Sequence, residues 1–295
     1  PKLTHPRDQL TVEHLLEERS FPLTDMSFFA RPEWGQPATR HFSGILSFED
    51  TEIHFPIERA YYSGENIFPG ITLDFISHQG ELIPIRDEIL VDGLSTHSSW
   101  NVLVGTGKVW HEEEDGEWNR ASFPLSLTDS YIGQVRNCVA TFVYKKDSVS
   151  NVCLQCSQET ADLNDQQVGN IRVMLPVEYQ PQSYADSLSV IEKRNRFKSG
   201  RLPVSPLSSI DRDHEIADYF EKVMYTQAPT SLGAVLMDEK IYLHPPKTRH
   251  GLYPYPNEMR HAVYSVTKSM TGALALFYFA EIGRASCRER VCHRV

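Results

Sequence analysis

The sequence predicts a two-domain chain, an antiparallel β-sandwich of jelly-roll type followed by a partial α/β (α+β) domain. Three observations predict it. Between His41 and Glu178, short segments that alternate apolar and polar residues recur, each closed by Asp, Gly, Asn or Ser, the rhythm of antiparallel strands and turns. Between Gln180 and Pro206 the composition turns to Pro, Ser and charge, as an interdomain linker does. Beyond it an amphipathic helix, a tight hairpin, a loop and an apolar helix follow in order.

The elements divide the chain into five stretches: an N-terminal extension (1–36), the sandwich (37–180), the linker (181–206), the second domain (207–281) and a tail (282–295). The sandwich strands are read in "RHFSGILSFE", "TEIHFPIERAYY", "GITLDFISH", "WNVLVGTGKVW", "EWNRASFPLSL", "GQVRNCVATFVYKK", "SNVCLQCSQE" and "NIRVMLPVEY". In the second domain Ile216, Tyr219, Phe220 and Val223 fall at i, i+3, i+4 and i+7, with Ser209 or Asp211 as the expected N-cap. A hairpin then turns at Asp238-Glu239 and ends before Pro245-Pro246. The tail "IGRASCRERVCHRV" breaks off an apolar helix with four arginines and no periodicity. It resembles the translation of a sequencing-adapter oligonucleotide and is expected to be non-native, with the natural chain cut off near Glu281.

Composition narrows the function classes. The chain has 295 residues, 40% of them hydrophobic, and a net charge of -10. Such acidity without a concentrated Lys/Arg face argues against nucleic-acid binding. The longest apolar run, about Ala273 to Ala280, is too short for a transmembrane helix, which needs roughly 18 residues or more. Because the sequence starts at Pro1, an upstream signal or anchor is left open. "CLQC" has the CxxC spacing of Cys153 and Cys156, but neither a second pair nor histidines follow at zinc-site distance. These residues and Cys138 are expected to be half-buried strand cysteines.

One pair carries chemistry. In "HAVYSVTKSMTGALALFYFAE", Ser265 precedes Lys268 by three residues, and on a helix such residues share a face, which suits a nucleophile and its base. Burial and the positive end of the helix dipole would both lower the lysine pKa. The helix that follows is apolar nearly all round, as a buried helix is.

"YSVTKSMTGALAL" resembles the active-site helix of the beta-lactamase and penicillin-binding-protein superfamily of serine hydrolases, and the helix and hairpin before it match that family's first elements in order. The likeness covers residues 207–281. It implies that Ser265 is the acylated nucleophile, that Lys268 is the base or proton shuttle, and that the Ser265 N–H forms half of an oxyanion hole. It further implies a small-molecule or cell-wall-type acyl substrate, no metal or organic cofactor, and a periplasmic or secreted bacterial setting. The family's second and third motifs, Tyr-x-Asn or Ser-x-Asn and Lys-Thr-Gly, do not follow Lys268. Tyr255-Pro256-Asn257, Ser99-Trp100-Asn101 and Lys247-Thr248-Arg249 stand before the serine, in the wrong order, and receive no catalytic role.

The remaining signals have plainer readings. Gly105-Thr106-Gly107-Lys108 reads as a strand turn, "HEEEDGEW" as a solvated hairpin loop, and His214, His244, His250 and His261 as surface or loop histidines. The rival to the hydrolase is a non-catalytic β-sandwich that binds a polysaccharide or protein partner, with Trp34, Trp100, Trp110 and Trp118 as a carbohydrate platform.

Overall fold

A computed structural model describes residues 10–19, 22–53, 63–89, 97–129, 133–159, 170–221, 231–263 and 266–281. It forms two compact units, residues 1–260 and 261–295. The first is mostly antiparallel β, built on one large curled sheet of twelve strands. Ten strands carry the argument: β1 (Ser43–Ser47), β2 (Thr72–His78), β3 (Glu81–Pro84), β4 (Trp100–Val104), β5 (Gly107–Trp110), β6 (Asn119–Asp129), β7 (Val135–Lys145), β8 (Val152–Ser157), β9 (Ile171–Leu175) and β10 (Glu178–Pro181). Their order across the sheet is β9-β8-β7-β6-β5-β3-β2-β1-β10, every pairing antiparallel, with β4 beside the far half of β6.

Seven of the expected strand segments hold the strands named here, and the last of them, "NIRVMLPVEY", divides into β9 and β10. In "TEIHFPIERAYY" the strand covers only Thr51–Glu52, and residues 54–62 lie outside the described ones. Of these ten strands the unexpected one is β3, joined to β2 by Gln79-Gly80, whose φ angles of 50° and 78° make the primed turn that matches strand twist. Gly105-Thr106, expected as a strand turn, is instead a break in one strand line: β4 and β5 run in the same direction along β6, and the Gly105 amide donates to the Pro124 carbonyl between their pairings. Gly107 is required there, because a Cβ on it would lie 2.1 Å from the Ser122 carbonyl oxygen.

Alternation along β6 and β7 sorts their residues onto two faces. Ala121, Phe123, Leu125 and Leu127 join Cys138, Ala140, Phe142 and Tyr144 in the main core, where Phe42 packs edge-on to Phe142 and Tyr144. At its end Arg136 lies 4.4 Å over the buried Trp100 ring, and burial lowers its pKa to about 10 against the pull of Glu65 and Asp129. Cys138 and Cys156 are register partners on β7 and β8 and form a disulfide; Cys153 is free and buried. All three are thus strand cysteines, though fully rather than half buried.

The opposite face is buried too. Val139, Val143, Cys153 and Met174 are covered by Leu10, Leu15, Met26 and Phe29 from the N-terminal stretch and by Tyr253, Tyr255 and Met259. The first 36 residues are therefore no loose extension beyond Leu10: α1 (Val12–Leu16), capped by Thr11, and a 3-10 turn at Met26–Phe29 lie on the sheet. Residues 207–260, grouped by sequence with the serine helix, belong to the sheet's compact unit.

Arg120 on β6 fastens this second layer. Its Nε and Nη2 donate to the two Asp115 carboxylate oxygens at 2.6 and 2.8 Å, and Nη1 donates to the Leu10 carbonyl at 2.6 Å. Glu112 lies 3.3 Å from Nε and accepts from Trp110 Nε1 at 2.7 Å. "HEEEDGEW" is accordingly not a wholly solvated loop, since Glu112 and Asp115 are buried while Glu113 and Glu114 face water. A buried charge is tolerable only when paired, so these carboxylates are fixed by the arginine and it by them.

Between the sheet and the second hairpin runs α2 (Ser187–Ser199), inside the expected linker. It buries no side chain, but Lys198 reaches Glu81 on β3 at 2.6 Å. The hairpin of β11 (Ala234–Met237) and β12 (Lys240–Leu243) turns at Asp238-Glu239 as expected, with φ of 51° and 57°. Among the described residues no helix is long and apolar enough to cross a membrane.

Arg120→Ala should destabilise the first unit by about 3–5 kcal/mol, the usual result of stranding buried carboxylates. Urea denaturation followed by tryptophan fluorescence checks it; a loss under about 1 kcal/mol would show the cluster to be incidental.

Candidate functional site

Among the described residues the second unit holds one helix, α3 (Val266–Glu281). Its first amide, on Val266, donates to the Val263 carbonyl at 3.0 Å. Lys268 is its third residue and is exposed. Ser265, the residue before the helix in sequence, lies outside the described residues. The tail from 282 lies outside them as well.

Beyond Thr271 the helix is apolar nearly all round, yet it buries none of its residues. Met270, Leu274, Phe277 and Tyr278 fall at i, i+4, i+7 and i+8 along one stripe, with Leu274, Phe277 and Tyr278 more than 60% exposed. A Cβ added at Gly272 would meet nothing within 4 Å. The burial expected around Lys268 is not present among the described residues.

The chain leaves the first unit at Arg260 on a fixed support. The Asn137 side chain accepts from the Arg260 N–H and donates to the Arg260 carbonyl, both at 2.8 Å, as a neighbouring strand would. Just upstream, Tyr253 and Tyr255 donate their hydroxyls to the carbonyls of Cys138 and Ser122 at 2.9 and 2.7 Å. Burial raises both phenol pKa values well above the ordinary range, so these are neutral anchors. The Tyr255-Pro256-Asn257 triplet is thus an attachment to the sheet. Ser99 and Trp100 are likewise buried, with Ser99 Oγ 3.4 Å from Asp129.

Among the histidines, His244 departs from the surface reading. It is buried, its Nε2 lies 3.1 Å from Glu221, and its ring stands edge-on to Phe220. Glu221 closes the expected amphipathic helix (Glu215–Glu221 among the described residues), which Asp211 caps by accepting from the Ile216 and Ala217 amides. Val223 lies outside the described residues. Lys247 also binds Glu221, so the Lys247-Thr248-Arg249 triplet serves this pair. The lysine hydrogen bond, then the charges of Lys247 and His244, hold the Glu221 carboxyl below its ordinary value despite some desolvation.

The other chemical signals come apart. Cys153 and Cys156 cannot act as one CxxC site, because Cys156 is bonded to Cys138 in the main core and Cys153 lies on the other face. Among the described residues no group of three or more His, Cys, Asp and Glu can hold a metal ion. Trp100 and Trp110 are fully buried, which removes two of the four tryptophans from any carbohydrate platform; Trp34 is exposed and Lys145 covers Trp118 at 4.6 Å. What sequence reasoning missed is a hollow beneath α2, lined by Arg194, Glu258 and Arg260. Its lining is dispersed over residues 83 to 260 and has no local motif. Comparison with protein families, curated proteins and solved structures finds no match.

Because the folded-state pKa of Glu221 lies below its unfolded value, its stabilising effect is full above the ordinary glutamate pKa of about 4.3 and is lost as pH falls through the folded value. A carboxyl NMR titration should place the Glu221 midpoint below that of a model glutamate, and Lys247→Met should move it upward. No movement in the variant would remove Lys247 as the cause.

Proposed function

We propose that the chain carries the nucleophile segment of a serine hydrolase of the Ser-x-x-Lys type, with Ser265 as nucleophile and Lys268 as base. The observation that carries this reading is positional: α3 starts one residue after Ser265, and Lys268 sits in its first turn on a helix that is apolar nearly all round beyond Thr271. On this reading residues 37–180 are a jelly-roll-like β-sandwich, and residues 207–281 are the opening elements of a beta-lactamase-like domain.

The reaction is acyl transfer to water from an ester, amide or β-lactam. Neutral Lys268 accepts the Ser265 hydroxyl proton as Oγ bonds to the substrate carbonyl carbon, and the carbonyl electrons move onto oxygen. That oxyanion needs donors; the Ser265 N–H, at the positive end of the helix, supplies one. Collapse of the intermediate breaks the bond to the leaving group, which takes a proton from the lysine. Water then attacks the acyl-enzyme by the same route and frees Ser265. The Cys138–Cys156 disulfide, of a kind that persists in oxidising compartments, agrees with a periplasmic or secreted setting.

The bare apolar helix supports a further expectation, that this chain is incomplete for catalysis. In the hydrolase reading other elements cover the helix and supply the second oxyanion donor, whose loss alone lowers rate by about 10² to 10³. A fluorescent fluorophosphonate probe should leave the 295-residue chain unlabelled. It should label a longer version that carries the two later motifs, and Ser265→Ala should abolish that labelling. Labelling of the present chain at Ser265 would refute incompleteness; an unlabelled longer protein without esterase activity would refute the hydrolase reading.

A further inference from the structure

The first unit contains a hollow of about 320 Å³ between α2 and the sheet, at the lower end of the size range of small-molecule sites. Its floor is apolar: Ile83 beside the end of β3, Ile85 just after it, and Leu103 and Val104 on β4. Val190 and Phe197 of α2, seven residues apart and so on one helix face, form the opposite wall.

Beside this apolar floor lie two guanidinium groups that share one carboxylate. Arg194 Nη2 lies 3.6 Å from Glu258 Oε1, and Arg260 Nη2 lies 3.9 Å from Oε2. Both separations exceed a hydrogen bond, so each pair is an ionic contact only. Arg194 Nε is buried and has no hydrogen-bond partner among the described residues. A planar guanidinium offers five donors, and one carboxylate held at these distances does not use them. A buried donor left without an acceptor is unfavourable, and a bidentate oxyanion is the group that matches an arginine fork.

The backbone keeps the place open. Gly105 lies opposite Glu258, and a Cβ there would stand 3.0 Å from Glu258 Cγ. Asn137 fixes the Arg260 main chain, so that guanidinium starts from a rigid base. A second hollow of about 390 Å³ adjoins the first and shares Thr106, Arg194 and Glu258. It adds Arg31, Lys108 and Lys198 with Glu81 as its sole further carboxylate, so the region has a basic excess in a chain of net charge -10. In the first hollow the acids besides Glu258 are Asp87 and Glu88, both exposed at the rim.

We propose that this hollow binds a small carboxylate with an apolar body, the carboxylate taken by Arg194 and Arg260 and the body laid between Ile83, Leu103 and Phe197. The site is separate from Ser265 and does not rest on the hydrolase reading.

Calorimetric titration of the chain with 4-phenylbutyrate, 4-phenylbutyramide and 4-phenylbutylamine tests it. The carboxylate should bind saturably at millimolar or lower concentration, and the isosteric amide at least about tenfold more weakly, the usual difference for a charge-assisted hydrogen bond. Arg194→Met should reduce carboxylate binding by a similar factor, and Val190→Trp, on an exposed helix, should block it by filling the hollow. Unchanged circular dichroism identifies the variants as folded. Equal affinity for the amide or amine, no saturable binding of the carboxylate, or binding that survives either folded variant would overturn the proposal.

Discussion

A single buried guanidinium organises the first unit. Arg120 sits on the central strand β6, and its pairing with Asp115, with Glu112 close by, turns an acidic loop inward. Its bond to the Leu10 carbonyl brings the N-terminal stretch onto the sheet, where Leu10, Leu15, Met26 and Phe29 cover Val139 and Val143. The arginine is 2% exposed, so these partners replace water as its solvation. The rest of that face repeats the same device on a smaller scale. Ser122 offers its carbonyl to Tyr255, and Asn137 takes both polar groups of Arg260. Polar positions on β6 and β7 thus dock chain where water would otherwise lie.

This explains which parts of the fold were legible. In "EWNRASFPLSL" and "GQVRNCVATFVYKK" the alternation identified the strands, because main-core burial follows period two. The same alternation presents Arg120, Ser122, Ser126 and Asn137 as water-facing, and nothing local reveals that residues 10–29 and 253–260 return to cover them. Contacts made across more than a hundred positions leave no periodic trace. The β2–β3 hairpin was missed for a different reason: Gln79 occupies a left-handed position usually held by Asn, Asp or Gly. The Asp238-Glu239 turn was found because two strand-like segments flank it closely. The acidic loop was misjudged because charge alone does not distinguish Glu113, in water, from Glu112, against Trp110.

The two candidate sites differ in how far sequence could lead to them. Ser265 and Lys268 are neighbours along one helix start, so their spacing is itself the signal. The cavity under α2 joins residues from β3, β4, α2 and the Arg260 segment, and only the folded sheet brings them together. They differ energetically as well. The first unit pairs its buried Arg120 with carboxylates and covers both faces of its central strands, whereas α3 buries none of its residues.

The central claim is that the N-terminal layer, the sheet and the Tyr253–Arg260 segment are one cooperative structure. Native-state hydrogen exchange tests it most directly through the Met26 amide, which donates to the His250 carbonyl, compared with the Val139 amide in the middle of β7. If the layers open together, both amides exchange with the same free energy and the same denaturant dependence. Exchange of Met26 far ahead of Val139, with little dependence on denaturant, would mean that the N-terminal layer detaches by itself and that Arg120 does not bind the unit together.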